Sequence, residues 1–217
     1  MTLRRIWNLF LLRLSFSATR LLKVPVHFGK PASMSIEPTT SCNLGCPECP
    51  SGLKQFTRPT GKIDLRLHKK LLSQIDKSVF YINYYFQGEP FLHPRFLELI
   101  KEAKRSRIYT STSSNVHFVN PKKALEIVDS GLDRLIISID GLTQKTYEQY
   151  RVNGKLSKVL KASQYLVEAK KERASDTPHL IFQFLAVKPN EHEIPKVFEL
   201  ASEMSIDEVR IKTAQLY

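Results

Sequence analysis

Cysteine is scarce in this chain. Cys42, Cys46 and Cys49 are the whole thiol inventory of 217 residues, and they fall within eight positions of one another. An odd, clustered set cannot build a disulfide framework, which excludes a small secreted scaffold and points to a reduced compartment and a metal. Glycine is also sparse, with 8 residues, and that excludes fibrous and low-complexity architectures. Acid is missing from residues 1–36, where Arg4, Arg5, Arg13, Arg20, Lys23 and Lys30 supply +6 of the formal charge of +12. The rest is only mildly basic, so net charge argues little for nucleic acid and none is expected as a partner. What is present, 42% apolar and 25% charged residues, suits one soluble globular domain with a real core.

Residues 3–23 read as a helix with Leu3, Ile6, Trp7, Phe10, Leu14 and Leu21 on one face and the cations off it. Its apolar run is too short to span a bilayer, which needs about 20 residues. Arg13 interrupts that run and no small-residue cleavage site follows, which argues against a secretory leader. One reading is peripheral contact with an anionic membrane through residues 3–23. The preferred one is packing of the helix across the domain or into a dimer. The protein is expected in the cytoplasm, with any membrane contact peripheral. Residues 1–32 are set apart as helix and linker, and 33–217 as the main domain.

From residue 33 the chain alternates strand and helix. Strands are expected at Ser33–Glu37, Val79–Tyr85, Ile108–Ser113, Leu135–Ile139, Leu180–Val187 and Val209–Ala214. Helices are expected at Leu65–Ile75, Pro94–Lys104, Pro121–Asp129, Thr143–Arg151, Lys155–Arg173 and Ile194–Met204. Such alternation implies βαβ crossovers and a parallel α/β sheet. The aromatics Phe80, Tyr81, Tyr84, Tyr85 and Phe86 fall on a strand and read as core. No helix follows the sixth strand, so the chain reads as shortened at Tyr217.

Function in such sheets gathers on the loops at the carboxyl ends of the strands, and the chemistry-bearing residues sit there. The cysteines follow strand one with the spacing C-x3-C-x2-C. Three thiolates on one tight loop can hold three corners of an iron–sulfur cube, leaving one iron without a protein ligand. Zinc held by the three cysteines and one of His68, His93 or His117 is the competing metal reading, although no second cysteine pair supports it.

Together with Gly88-Glu89-Pro90 after strand two, the cysteine motif resembles the radical S-adenosylmethionine (radical SAM) superfamily over about residues 33–217. That resemblance implies a partial (β/α)6 parallel barrel. It implies a [4Fe-4S] cluster on Cys42, Cys46 and Cys49, whose free iron chelates S-adenosylmethionine. Reductive cleavage of this cofactor would yield a 5′-deoxyadenosyl radical for hydrogen abstraction, with a flavodoxin- or ferredoxin-like electron donor. Gly88, Glu89 and Pro90 would bind the cofactor, with Glu89 accepting from its ammonium group. Ser138 and Asp140 match ribose-contacting positions on strand four. Arg151 is placed for the cofactor carboxylate, and Asn115 and Lys212 are weaker candidates. Where relatives often carry an aromatic residue before the third cysteine, this chain has Glu48.

The stretch Glu37–Leu44 and the long fourth helical region look like the subgroup with a C-terminal SPASM extension. Its members resemble peptide maturases, which suggests a peptide or protein substrate. No cysteine follows Cys49 to hold an auxiliary cluster. The alternatives are a zinc-stabilised basic nucleic-acid-binding module, or an inactive truncated fragment of such an enzyme.

Overall fold

The computed structural model describes residues 2–213, with Met1 and residues 214–217 outside it. Six parallel strands lie side by side in chain order: β1 (Ser33–Ser35), β2 (Tyr81–Asn83), β3 (Tyr109–Ser114), β4 (Arg134–Ser138), β5 (His179–Ala186) and β6 (Glu208–Thr213). Each expected strand is present, the first two shorter than expected. Ala214, expected to end the last strand, lies outside the described residues. Among the described residues β1 and β6 are the edges, so the sheet is an open, partial barrel.

The crossover helices are α3 (Leu65–Ile75), α4 (Phe96–Arg105), α5 (Pro121–Asp129), α6 (Gln144–Tyr150), α7 (Leu156–Glu172) and α8 (Ile194–Glu203); α1 (Leu3–Leu22) and a short α2 (Pro50–Leu53) precede them. Local chemistry sets their starts. The Asp64 carboxylate accepts from the amides of Arg66 and Leu67 to open α3, and Asn120 accepts from Lys123 N before Pro121 in α5. Apolar faces of these helices close over the sheet. Strand β4 is buried on both faces at Leu135, Ile136 and Ile137, as a covered parallel strand requires. Strand β3 instead buries Thr110, Ser111, Thr112 and Ser114. Thr112 Oγ1 donates to the Tyr84 carbonyl, and Thr110 donates through N–H and hydroxyl to Asp133.

Helix α1 packs on the domain, but with its apolar stripe turned away from it. Its fully buried residues, Arg5, Asn8 and Ser15, are polar, and Leu12 among them is half-buried against Gly29. Arg5 is 2% exposed and its guanidinium donates to the carbonyls of Asp76, Ser106 and Arg107 at 2.6–3.1 Å. These carbonyls terminate α3 and α4, where unpaired acceptors and the negative ends of helix dipoles favour a cation. Asn8 pairs with both the amide and the carbonyl of Lys30, Ser15 accepts from Phe28 N, and Thr19 accepts from Val26 N. The chain therefore folds back along α1 through polar contacts, and the apolar face is left to solvent. Among the described residues no helix is long and apolar enough to cross a membrane.

Candidate active site

The loop after β1 carries all three cysteines into one cavity at the carboxyl ends of the strands. Cys46 is buried, Cys42 and Cys49 are half-buried, and all three thiols are free. Burial pushes the Cys42 thiol up to about 11. It raises Cys46 too, with the Arg151 charge pulling the other way. A metal group seated here would displace thiol protons. The loop is fixed by Gly45 N donating to Val152 O at 2.9 Å and Cys49 N to Cys46 O at 3.2 Å. Gly52 lets α2 return against the loop, because a Cβ there would stand 2.6 Å from the Cys46 amide nitrogen and carbonyl oxygen.

The loop after β2 is bolted to the cysteine loop. Gly88 N donates to Ser51 Oγ at 2.8 Å, Ser51 Oγ donates to Gln87 Oε1 at 3.1 Å, and that oxygen also accepts from Cys49 Sγ at 3.4 Å. Glu89 N donates to Ser41 O at 2.7 Å, and Gln87 N to Glu37 Oε2 at 3.1 Å. Gly88 has φ +77°, and a Cβ there would collide with the Thr39 carbonyl. Glu37 left β1 to make this contact and its ion pair with Arg58.

Glu89 is 2% exposed. Its Oε1 accepts from Ser114 Oγ and Phe91 N, and its Oε2 from Asn115 N at 2.8 Å. A carboxylate offers about four acceptor positions, so one on Oε2 remains for a cation in the cavity. Burial raises its pKa, against these hydrogen bonds, which lower it. Asn115 Nδ2 donates to Asn43 Oδ1 at 2.9 Å, tying the end of β3 to the cysteine loop.

Gly88, Glu89, Asn115, Ser138 and Arg151 line the cavity with the cysteines. Pro90 and Asp140 do not. Pro90 opens a single turn of 3-10 helix. Asp140, read from the sequence as a ribose contact, is 1% exposed. It accepts from Arg151 Nε with one oxygen and from Leu185 N with the other. Arg151 Nη1 reaches 3.8 Å from Cys46 Sγ, so Asp140 acts on the cavity through Arg151. Lys212 is exposed on the edge strand β6, and Glu48 is exposed on the cysteine loop.

Ser51, Ser114 and Gln183 are among the cavity residues that sequence reasoning did not single out, and Tyr85 and Phe86, read as core, line it too. The aromatic run expected to be core divides. Tyr84 is fully buried, whereas Phe86 is 74% exposed at the cavity, because β2 ends at Asn83 and its alternation stops. Ser51 carried one usable signal, its place beside Pro50 at the start of a turn following Cys49.

The donor set fits a polynuclear group better than zinc. Among the described residues no three His, Cys, Asp or Glu side chains stand together as ligands of one metal ion, which a Cys3His site demands. The candidate fourth ligands are engaged elsewhere. His68 Nε2 bonds Tyr84 OH; His93 bonds Ile63 O and accepts from Arg95 N; His117 bonds Asn115 O and accepts from Lys155 N. In a cube each thiolate instead takes a separate iron.

Residues 36–201 match the family model described as Radical SAM superfamily. The chain belongs to the radical SAM superfamily. The family's cofactors are a [4Fe-4S] cluster and S-adenosylmethionine. Among curated relatives, a PqqA peptide cyclase of Gluconobacter oxydans is 30% identical over 191 residues, covering 86% of this chain and 50% of its own length. A mycofactocin maturase MftC of Mycobacterium ulcerans is 29% identical over 140 residues, covering 64% and 37% respectively. This chain spans about half the length of the curated relatives it matches. Among solved structures, Streptococcus suis SuiB bound to S-adenosylmethionine superposes with a TM-score of 0.72 over 94% of this chain and 45% of SuiB, at 15% identity. The structure of native anSMEcpe with bound AdoMet gives 0.68 over 85% and 52%, at 18% identity. Both share the fold, that of the radical SAM (β/α) barrel proteins.

Proposed function

We propose that this chain is the catalytic core of a radical SAM enzyme that modifies a peptide or protein side chain. The single observation that carries the proposal is the meeting of three free thiols, the Gly88 turn, Glu89 and Arg151 around one cavity at the carboxyl ends of the strands. When bound, the cluster and S-adenosylmethionine would supply one-electron reductive cleavage and hydrogen-abstraction chemistry, the electron coming from an external donor. Cys42, Cys46 and Cys49 would hold the cluster. The remaining acceptor position on Glu89 takes the ammonium of the methionine moiety, and the Arg151 charge, fixed by Asp140, takes a carboxylate. Ser138, Asn115 and Gln183 offer hydroxyl and amide groups for ribose and substrate.

The peptide assignment draws on a relative named a PqqA peptide cyclase. The reduced, reconstituted protein should release 5′-deoxyadenosine and methionine from S-adenosylmethionine. A candidate precursor peptide should raise that yield and lose hydrogen. Reconstituted protein that binds S-adenosylmethionine but never cleaves it would overturn the enzyme assignment.

A further inference from the structure

Helix α1 presents to solvent the residues a soluble helix normally buries. Leu3, Ile6, Trp7, Phe10, Leu14 and Leu21 are 45–84% exposed and share one stripe of the helix. Trp7 and Phe10 stack at 5.3 Å between ring centroids within it. Arg4 borders the stripe on one side and Arg13 and Arg20 on the other, and no acid occurs in residues 1–36 to neutralise them. At the amino end of the helix, Lys77, Arg105 and Arg107 gather around Arg4 and Arg5, with Asp76 among them and Arg105 paired to Glu102. The inward face is occupied by Arg5, Asn8, Ser15 and Thr19, with Leu12 between them against Gly29, so the helix cannot roll its stripe onto the domain without breaking those bonds.

We propose that α1 is a peripheral membrane-docking element that seats this protein on an anionic lipid surface. An apolar stripe with an aromatic pair, flanked by unneutralised cations, matches the boundary between acyl chains and anionic headgroups. The length and composition of α1 exclude a span, so the helix lies in the plane of the interface. Geometry also sets the orientation. The carbonyls that Arg5 clasps, on Asp76, Ser106 and Arg107, lead into the amino ends of β2 and β3. The cysteine cavity lies at the carboxyl ends, so docking through α1 leaves it open to the aqueous side.

Trp7 is the only tryptophan of the chain, which makes its emission a direct probe. The wild-type chain, confirmed monomeric, is titrated with phosphatidylcholine vesicles with and without phosphatidylglycerol. The expected result is a blue shift and co-sedimentation with the anionic vesicles only, reversed by salt as screening shortens from about 10 Å at 0.1 M to about 3 Å at 1 M. R13Q/R20Q should weaken partitioning roughly thirtyfold. F10D/L14D should abolish it while keeping Trp7 as the probe, and unchanged circular dichroism shows that both variants fold. Three results would overturn the proposal: no shift with anionic vesicles at low salt; equal binding to neutral vesicles; or emission already blue without lipid, from self-association or another protein segment covering the stripe.

Discussion

Asp140 holds Arg151 toward the cavity with one carboxylate oxygen, and with the other it accepts the Leu185 amide, so a single side chain joins β4, β5 and the end of α6. The Asn190 side chain donates to the Asp140 carbonyl and steadies the same corner. The Asp140 charge raises the Arg151 pKa against desolvation by burial, which lowers it.

Removing one partner of a buried ion pair strands the other, typically at about 3–5 kcal/mol. Asp140→Asn should therefore destabilise the protein by about 3 kcal/mol in urea unfolding and weaken S-adenosylmethionine binding, while cysteine-bound iron is retained. Adding Arg151→Met should recover part of the stability, because the two losses are not additive. Additive losses in that double variant would separate the two residues energetically.

Gly88 and Gly131 both have φ near +75°, yet their surroundings differ. A Cβ at Gly88 meets the Thr39 backbone, whereas at Gly131 the nearest atoms, at 3.4 Å and beyond, belong to the flexible Lys104 side chain. Gly131→Ala should cost only the left-handed strain, about 1 kcal/mol. Gly88→Ala should cost several times more and dislodge the loop that meets the cysteines. Equal melting temperatures for the two variants would contradict this.

Glu89→Ala strands the Ser114 hydroxyl and the amides of Phe91 and Asn115, each a buried group worth about 1–3 kcal/mol when unpaired. A loss of roughly 3 kcal/mol or more is expected, together with weakened S-adenosylmethionine binding. Glu89→Gln keeps the shape but turns an amide toward one of its donors, and should cost less, about 1–2 kcal/mol. A negligible cost for Glu89→Ala would contradict the hydrogen-bonding role of its carboxylate.

The strand and helix order was legible because β-branched runs and Asp64, Asn120 and Pro121 mark local boundaries. The cysteines and Gly88-Glu89-Pro90 were legible because spacing along the chain carries them. The Asp140–Arg151 pairing was not legible, because alternation along a strand gives the face of a side chain but not its partner, and that partner lies 11 residues on. Ser51 and Gln87 meet across 36 residues, a separation no local pattern encodes. The outward stripe of α1 was hidden for a similar reason: Arg5 finds its acceptors 71 to 102 residues away.

His68 is fully buried against Tyr84, 2.7 Å from its hydroxyl, and its Nδ1 has no partner. Burial lowers its pKa to about 4, with Glu102 raising and His93 lowering it further. In the unfolded chain it protonates near the ordinary 6.5, so the unfolded state binds more protons between those values. Stability should fall as pH drops from 6.5 to 4, by on the order of 2 kcal/mol once solvent screening is allowed for. His68→Gln should flatten that part of the profile; an unchanged slope would assign it to other groups.

The most direct test of the central claim is iron and acid-labile sulfide content after anaerobic reconstitution, compared with Cys42→Ala, Cys46→Ala and Cys49→Ala. About four irons and four sulfides per chain, as a cube requires, are predicted for the wild type, with loss in every variant. About one zinc without sulfide, or full iron retained in any of the three variants, would contradict the assignment.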